Sequence, residues 1–205
     1  MIDNGVLLCG SLLEILCFRN CSSRYKEIRG YLLFCLIRSL LLICLRPWPL
    51  SYYWGYWSLQ LVSLVLQGLI LGAFSKEAGL PLWPTLFVMG LVVFMPQASF
   101  SSVFVSVLIS CQRAVYTGRF LVWAVIWLKE SELSLLSRRL VNAFGLLAGC
   151  ELVLAWVKSH FGLFNIVAFN RVGICFFLAM IWLWWLAFKE DSLRQSGQRI
   201  HFYNH

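Results

Sequence analysis

Long apolar runs alternate along this chain with short polar breaks, and the run lengths fit membrane-crossing helices. Helices are predicted over 5–18, 30–45, 52–74, 82–95, 110–129, 139–158 and 172–188, because about 20 residues at about 1.5 Å rise cross a hydrocarbon core of roughly 30 Å. The first run is short enough to lie in the interface or re-enter instead of crossing. Pro47, Pro49, Pro81, Pro84 and Pro96 all fall at or near run ends, where a missing N–H costs least. From Ser99 to Lys129 there is no proline, and the stretch is too long for one untilted crossing. It reads either as one long helix crossing from about residue 110, or as two short ones broken near Gly118. Residues 159–170 form a connection, and 189–205 a polar tail.

Composition agrees with this pattern. Hydrophobic residues make up 60% of the chain and charged ones 13%, outside the usual soluble balance. The expected fold class is therefore all-α, a polytopic transmembrane helix bundle of about seven spans, with one membrane domain over 1–188 and a cytoplasmic tail over 189–205. The net charge of +8 would fit a nucleic-acid binder if it were gathered on one surface. It is scattered among the apolar runs instead, and topology explains it. With seven spans and the amino end outside, only Arg46, Lys158 and Arg171 of the loop and tail cations lie outside, as the positive-inside tendency requires. An eight-span count divides the charges far more evenly. The expected location is the cell inner (cytoplasmic) membrane, with the carboxyl terminus in the cytoplasm. Asp3 precedes the first run and no cation does, so that run reads as an uncleaved span and not a signal peptide.

The eight cysteines contain no C-x-x-C pair and sit in or beside apolar runs, as small core residues do. An alternative is acylation of Cys17 or Cys21 beside the basic loop. His160, His201 and His205 lie outside every run and offer no metal spacing. No metal or cofactor is expected.

Four polar residues interrupt the runs at similar depth, about 13 to 18 Å from the inner boundary by helical rise: Arg38, Gln67, Arg119 and Glu151. An ionised side chain near the bilayer centre costs about 2.5 to 3.5 kcal/mol, so these groups should answer one another. Arg38 or Arg119 is expected to pair with Glu151, with Gln67 nearby. One reading is purely architectural, an ion pair fixing helix register. The other counts two cations against one acid, a surplus able to receive an anionic ligand or lipid headgroup, unless Glu14 cancels it. Gly68 with Gly72, and Gly145 with Gly149, form G-x-x-x-G steps that admit a neighbouring helix closely. Ser102, Ser106 and Ser110 form a similar small stripe. Trp48, Tyr52, Tyr53, Trp54, Tyr56 and Trp57 read as an interfacial aromatic belt before a ligand box.

Several of these pieces together resemble a known group. YYWGYW at 52–57, QRAVYTGRFLVWAVIWL at 112–128, AFGLLAG at 143–149 and the pair Ile181 and Trp182 resemble an uncharacterised family of bacterial seven-span integral membrane proteins. Similar members show an aromatic opening to the third span, an arginine matching Arg38, and an FG-x-x-x-G step matching Phe144, Gly145 and Gly149. The resemblance implies seven spans and carries no known activity. This chain departs from the pattern at Gln60 and Ala73, where such proteins tend to hold acids.

Enzymatic chemistry is not expected. No run contains histidine, neither G-x-S-x-G nor H-E-x-x-H occurs, and no pair of acids has protease or metal-site spacing. The expected function is a non-enzymatic, membrane-embedded binding, sensing or scaffold component. Its partners would be the lipid bilayer, another membrane protein or a small anionic ligand, and not nucleic acid. The alternative is a small permease for an anionic solute. Transporters tend to interrupt helices at mid-membrane, whereas the prolines here mark ends.

Overall fold

A computed structural model describes residues 4–94, 103–129, 133–161 and 166–203, and all regular structure among them is helical. The elements are α1 (Asn4–Asn20), α2 (Lys26–Leu45), α3 (Pro49–Glu77), α4 (Trp83–Val93), α5 (Val103–Leu128), α6 (Leu135–Phe161) and α7 (Ile166–Tyr203). Lys26–Leu45, Pro49–Glu77, Leu135–Val157 and Arg171–Arg194 are long and apolar enough to cross a membrane. The other three fall short for identifiable reasons. α1 has 17 residues and α4 has 11, while α5 is diluted by Gln112, Arg113 and Arg119.

Local chemistry sets the helix ends. Pro49 begins α3 and Pro84 lies in the first turn of α4. α3 stops at Gly79, whose φ of 63° suits a residue without a Cβ. There the Leu80 N–H donates to the Ser75 carbonyl at 2.8 Å and the Gly79 N–H to Lys76 at 3.1 Å, the paired bonds of a Schellman end. The Ser134 hydroxyl accepts the Ser137 N–H at 3.1 Å and so caps α6.

Several boundaries differ from the sequence expectation: α2 starts at Lys26 and not 30, α3 runs Pro49–Glu77 and not 52–74, and α5 starts at Val103 and not 110. α6 starts at Leu135, ahead of residue 139, because Ser134 caps it there. α7 continues to Tyr203, so most of the expected tail extends the last helix. Of the expected 159–170 connection, only 162–165 lies outside the described residues. α5 is a single helix that passes through Gly118 unbroken.

Six helices pack in a closed ring in the order α1, α2, α3, α5, α6, α7 and back to α1, while α4 packs on the outside against α5. α3 and α5 run in the same direction: Trp54 meets Phe104 near their beginnings at 5.9 Å, and Gln67 meets Arg119 further along at 2.9 Å. The chain between them must therefore run back the length of α3. α4 supplies 11 residues of that return, about 16 Å.

The ring is apolar outside, and inside it polar groups sit among apolar ones. On α2, Leu33, Ile37, Leu40 and Leu41 are exposed, whereas Tyr31, Cys35 and Ser39 are buried. On α3, Leu61, Val65 and Leu69 face out, and Ser63, Gln67 and Phe74 face in. This arrangement would be costly in water and suits lipid, where the exterior needs no polar covering. One end of the interior is sealed by a cluster that includes Tyr31, Phe74, Phe144, Trp184 and Phe188. Trp184 donates its indole N–H to the Leu140 carbonyl at 3.1 Å, satisfying its only polar atom.

Candidate binding cavity inside the helix ring

Each ring helix turns one polar or small face inward. α3 presents Tyr56, Gln60, Ser63 and Gln67, and α5 presents Gln112 and Tyr116. These steps of three and four residues bring side chains onto one helical face. α2 adds Tyr31, Arg38 and Ser39, α1 adds Gly10 and Glu14, α6 adds Glu151, and α7 adds Gly173 and Phe177. Together they enclose a cavity of about 120 Å³. All six ring helices contribute, and α4 does not.

One wall, with Tyr31, Ser63, Gln67 and Glu151, is backed by a closed hydrogen-bond network centred on Arg119. Its Nη1 donates to Glu151 Oε2 at 2.5 Å and to Gln67 Oε1 at 2.9 Å. Nη2 donates to the Phe144 carbonyl at 2.7 Å and to Met180 Sδ at 3.4 Å, while Nε donates to the same carbonyl at 3.2 Å. A guanidinium has five N–H groups, and these five bonds engage them all. Gln67 carries the network on, its Nε2 donating to Tyr31 Oη at 3.2 Å and Ser63 Oγ at 3.3 Å. The network thus ties α2, α3, α5, α6 and α7 together.

A second wall is less complete. Arg38 Nη1 reaches Gln60 Oε1 at 3.5 Å, a long bond, and its guanidinium lies over the Phe177 ring at 5.6 Å. Glu14 is only 1% exposed and is answered by the charge of Arg38 and the hydroxyl of Ser39. Even so, Glu14 Oε2 and Arg38 Nε have no hydrogen-bond partner among the described residues. One acceptor and one donor are left open, on two residues that line the same cavity.

Three of the four expected polar-layer residues come together: Arg119, Glu151 and Gln67. Arg38 instead groups with Gln60 and Glu14. Glu14, the acid weighed as a counter to a cation surplus, lies on the same cavity beside Arg38 and Ser39, so the layer contains two arginines and two acids. Arg113, a third buried guanidinium, sits apart from the cavity lining over Trp156 at 5.0 Å.

The glycine steps divide. A Cβ on Gly145 would collide with Trp123, and one on Gly149 would come within 3.2 Å of the Phe120 ring. The visitors are aromatic side chains of α5 and not a helix backbone. Gly68 meets nothing and Gly72 only Leu82 at 3.8 Å, so the expected close packing at Gly68 and Gly72 does not occur. Cys17 and Cys21 are buried, which removes them as acylation sites. In the serine stripe, Ser102 lies outside the described residues, and Ser110 is buried against Arg113. Tyr56 leaves the expected aromatic belt for the cavity wall.

Beyond the expected residues the cavity takes in Glu14, foreseen only as a counter-charge, Gln60, and Tyr31, Ser63, Gln112 and Tyr116, which run length and depth do not mark. The helical spacing of polar positions, Tyr56 to Gln60 to Ser63 to Gln67 and Gln112 to Tyr116 to Arg119, is the signal that finds most of them. Compared with family models, curated proteins and solved structures, the chain matches none. The fold and the cavity define the chain as all-helical, with four helices suited to a membrane and a polar chamber within its ring.

Proposed function

We propose that this chain is a multi-pass membrane protein whose helix ring holds a small-molecule binding site, and that it acts as a non-enzymatic binding or sensing component. The observation carrying this reading is the polar cavity built by all six ring helices beneath an apolar exterior. Small-molecule sites in helical proteins lie between helices and combine an apolar lining with a few placed polar groups. Seven crossings, with the amino end outside and the carboxyl end in the cytoplasm, follow from the loop charges. The parallel run of α3 and α5, which demands a return crossing between them, supports the odd count. Kinship with the uncharacterised seven-span family is part of the same proposal, and Arg38 and the Gly145 to Gly149 step, which carry it, both lie at ring interfaces. The alternative, a small permease for an anionic solute, is less favoured because Glu14 and Glu151 both line the cavity.

Native mass spectrometry of the protein released from lipid nanodiscs tests the reading. A small molecule retained by the wild type and lost on Gln60→Leu with Tyr116→Phe supports it. Retention of a partner protein alone, with an empty cavity, would make the chain a scaffold and overturn it.

A further inference from the structure

The proposal of a binding cavity leaves open what chemistry it takes, and the two walls differ in a way that answers this. Arg119 has no donor left to offer, since all five of its N–H groups are engaged. An incoming anion would therefore have to use Arg38 alone, while facing Glu14 and Glu151 on the same cavity. A cation would find Glu14 but would leave the Arg38 Nε donor open. A buried donor or acceptor without a partner costs about 1 to 3 kcal/mol, more for a charged group. Glu14 Oε2 and Arg38 Nε are such a pair, one of each kind, on two residues that line the cavity.

We infer that the cavity takes a small zwitterion, with an ammonium group on Glu14 and an acid group on Arg38. This inference rests on the binding function proposed above. A net-neutral ligand with opposite charged ends offers a partner to each of these two residues and adds no net charge to the cavity. The volume of about 120 Å³ is well below the roughly 300 Å³ at which drug-sized pockets begin, so the ligand is of amino-acid size. Tyr31, Tyr56 and Tyr116 line the space between with rings and hydroxyls, and Phe177 and Leu154 provide an apolar side. The same chemistry is carried by a free amino acid and by the headgroup of phosphatidylethanolamine.

The test is binding of radiolabelled alanine to the full-length protein in phosphatidylglycerol nanodiscs, with glycine, acetate and methylamine as competitors. Glycine should displace the label at concentrations at least tenfold below those needed for acetate or methylamine. Glu14→Gln and Arg38→Gln should each weaken alanine binding at least tenfold, whereas Gly68→Ala, away from the cavity, should leave it unchanged. If either cavity variant fails to fold, the competition series on the wild type decides alone. Loss of alanine binding on adding phosphatidylethanolamine to the nanodiscs would assign the zwitterion to the lipid, and unchanged binding would assign it to the free amino acid. Equal displacement by acetate or methylamine overturns the zwitterion. So does the absence of alanine and glycine binding in phosphatidylglycerol nanodiscs while native mass spectrometry still finds another retained small molecule, with the binding function left standing. Absence of both probe binding and a retained molecule removes the function as well.

Discussion

Arg119 on α5 and Glu151 on α6 meet at 2.5 Å inside the ring, with the arginine 1% exposed. Removing one member of such a pair leaves the other charge buried and unanswered, at a typical cost of about 3 to 5 kcal/mol. Arg119→Leu also strips Gln67 and the Phe144 carbonyl of a donor, so it should be the more damaging single change. The double variant Arg119→Leu with Glu151→Leu should lose less than the two single losses added together. Thermal unfolding in nanodiscs measures all three, and simple additivity would show that the pair is not coupled. Arg119→Lys should not rescue, because an ammonium cannot reproduce a planar five-donor fork.

The four glycines expected to pack closely should respond in opposite ways. Gly145→Ala drives a methyl into Trp123 and should cost about 1 to 3 kcal/mol, the range for overpacking. Gly149→Ala should cost less, since the Phe120 ring needs to give only a few tenths of an ångström. Gly68→Ala meets open space and should be neutral or stabilising by up to about 1 kcal/mol through helix propensity. Melting temperatures of the three variants check the order, and a destabilised Gly68→Ala would contradict it.

These contrasts show what was readable in the chain and what was not. Apolar run length located seven helices because lipid rewards continuous hydrophobicity whatever the tertiary arrangement. Depth along each helix brought Arg119, Gln67 and Glu151 to one level, and there the structure joins them. Depth says nothing about azimuth, so Arg38 was as good a partner for Glu151 as Arg119 until the ring order placed it beside Gln60. The same gap made Gly68 indistinguishable from Gly145. Tyr56 was absorbed into an aromatic cluster by composition, although its four-residue step to Gln60 puts it on the inner face of α3. The polar stretch after residue 188 was read as tail, yet the absence of proline there lets α7 continue.

A second network should hold the end of the bundle where α3 finishes. Ser137 donates to Glu77 Oε1 at 2.6 Å and lies 2.7 Å from the Tyr25 hydroxyl, while Arg24 donates to the same Glu77 oxygen at 3.2 Å. Three segments are thereby joined through one buried hydroxyl: the α1–α2 connection, the end of α3 and the start of α6. Ser137→Ala leaves Tyr25 and Glu77 short of partners and should cost about 1 to 3 kcal/mol. Arg24→Ala, breaking an exposed ion pair, should cost under about 1 kcal/mol. Unfolding in detergent separates the two, and equal losses would mean that the surface arginine, not the buried serine, secures this end.

The proposed threading of the chain through a membrane can be tested through α3 and α5, which point the same way. Trp54 against Phe104 fixes their beginnings on one side, so Gly79, at the far end of α3, must face the other. That side should be the cytoplasm, because Lys76, Arg24 and Arg139 gather there, with Glu77 joining Arg24 and Glu190 joining Arg139 across helix ends. Single cysteines placed at Glu77 and Asp191 in a chain cleared of its native thiols should resist an impermeant maleimide in intact cells and react once the membrane is opened. A cysteine at Trp48, which is exposed just before α3, should react at once. Labelling of positions 77 and 48 from the same side would require α3 to lie along the membrane instead of through it. The closed ring could not then sit across the bilayer.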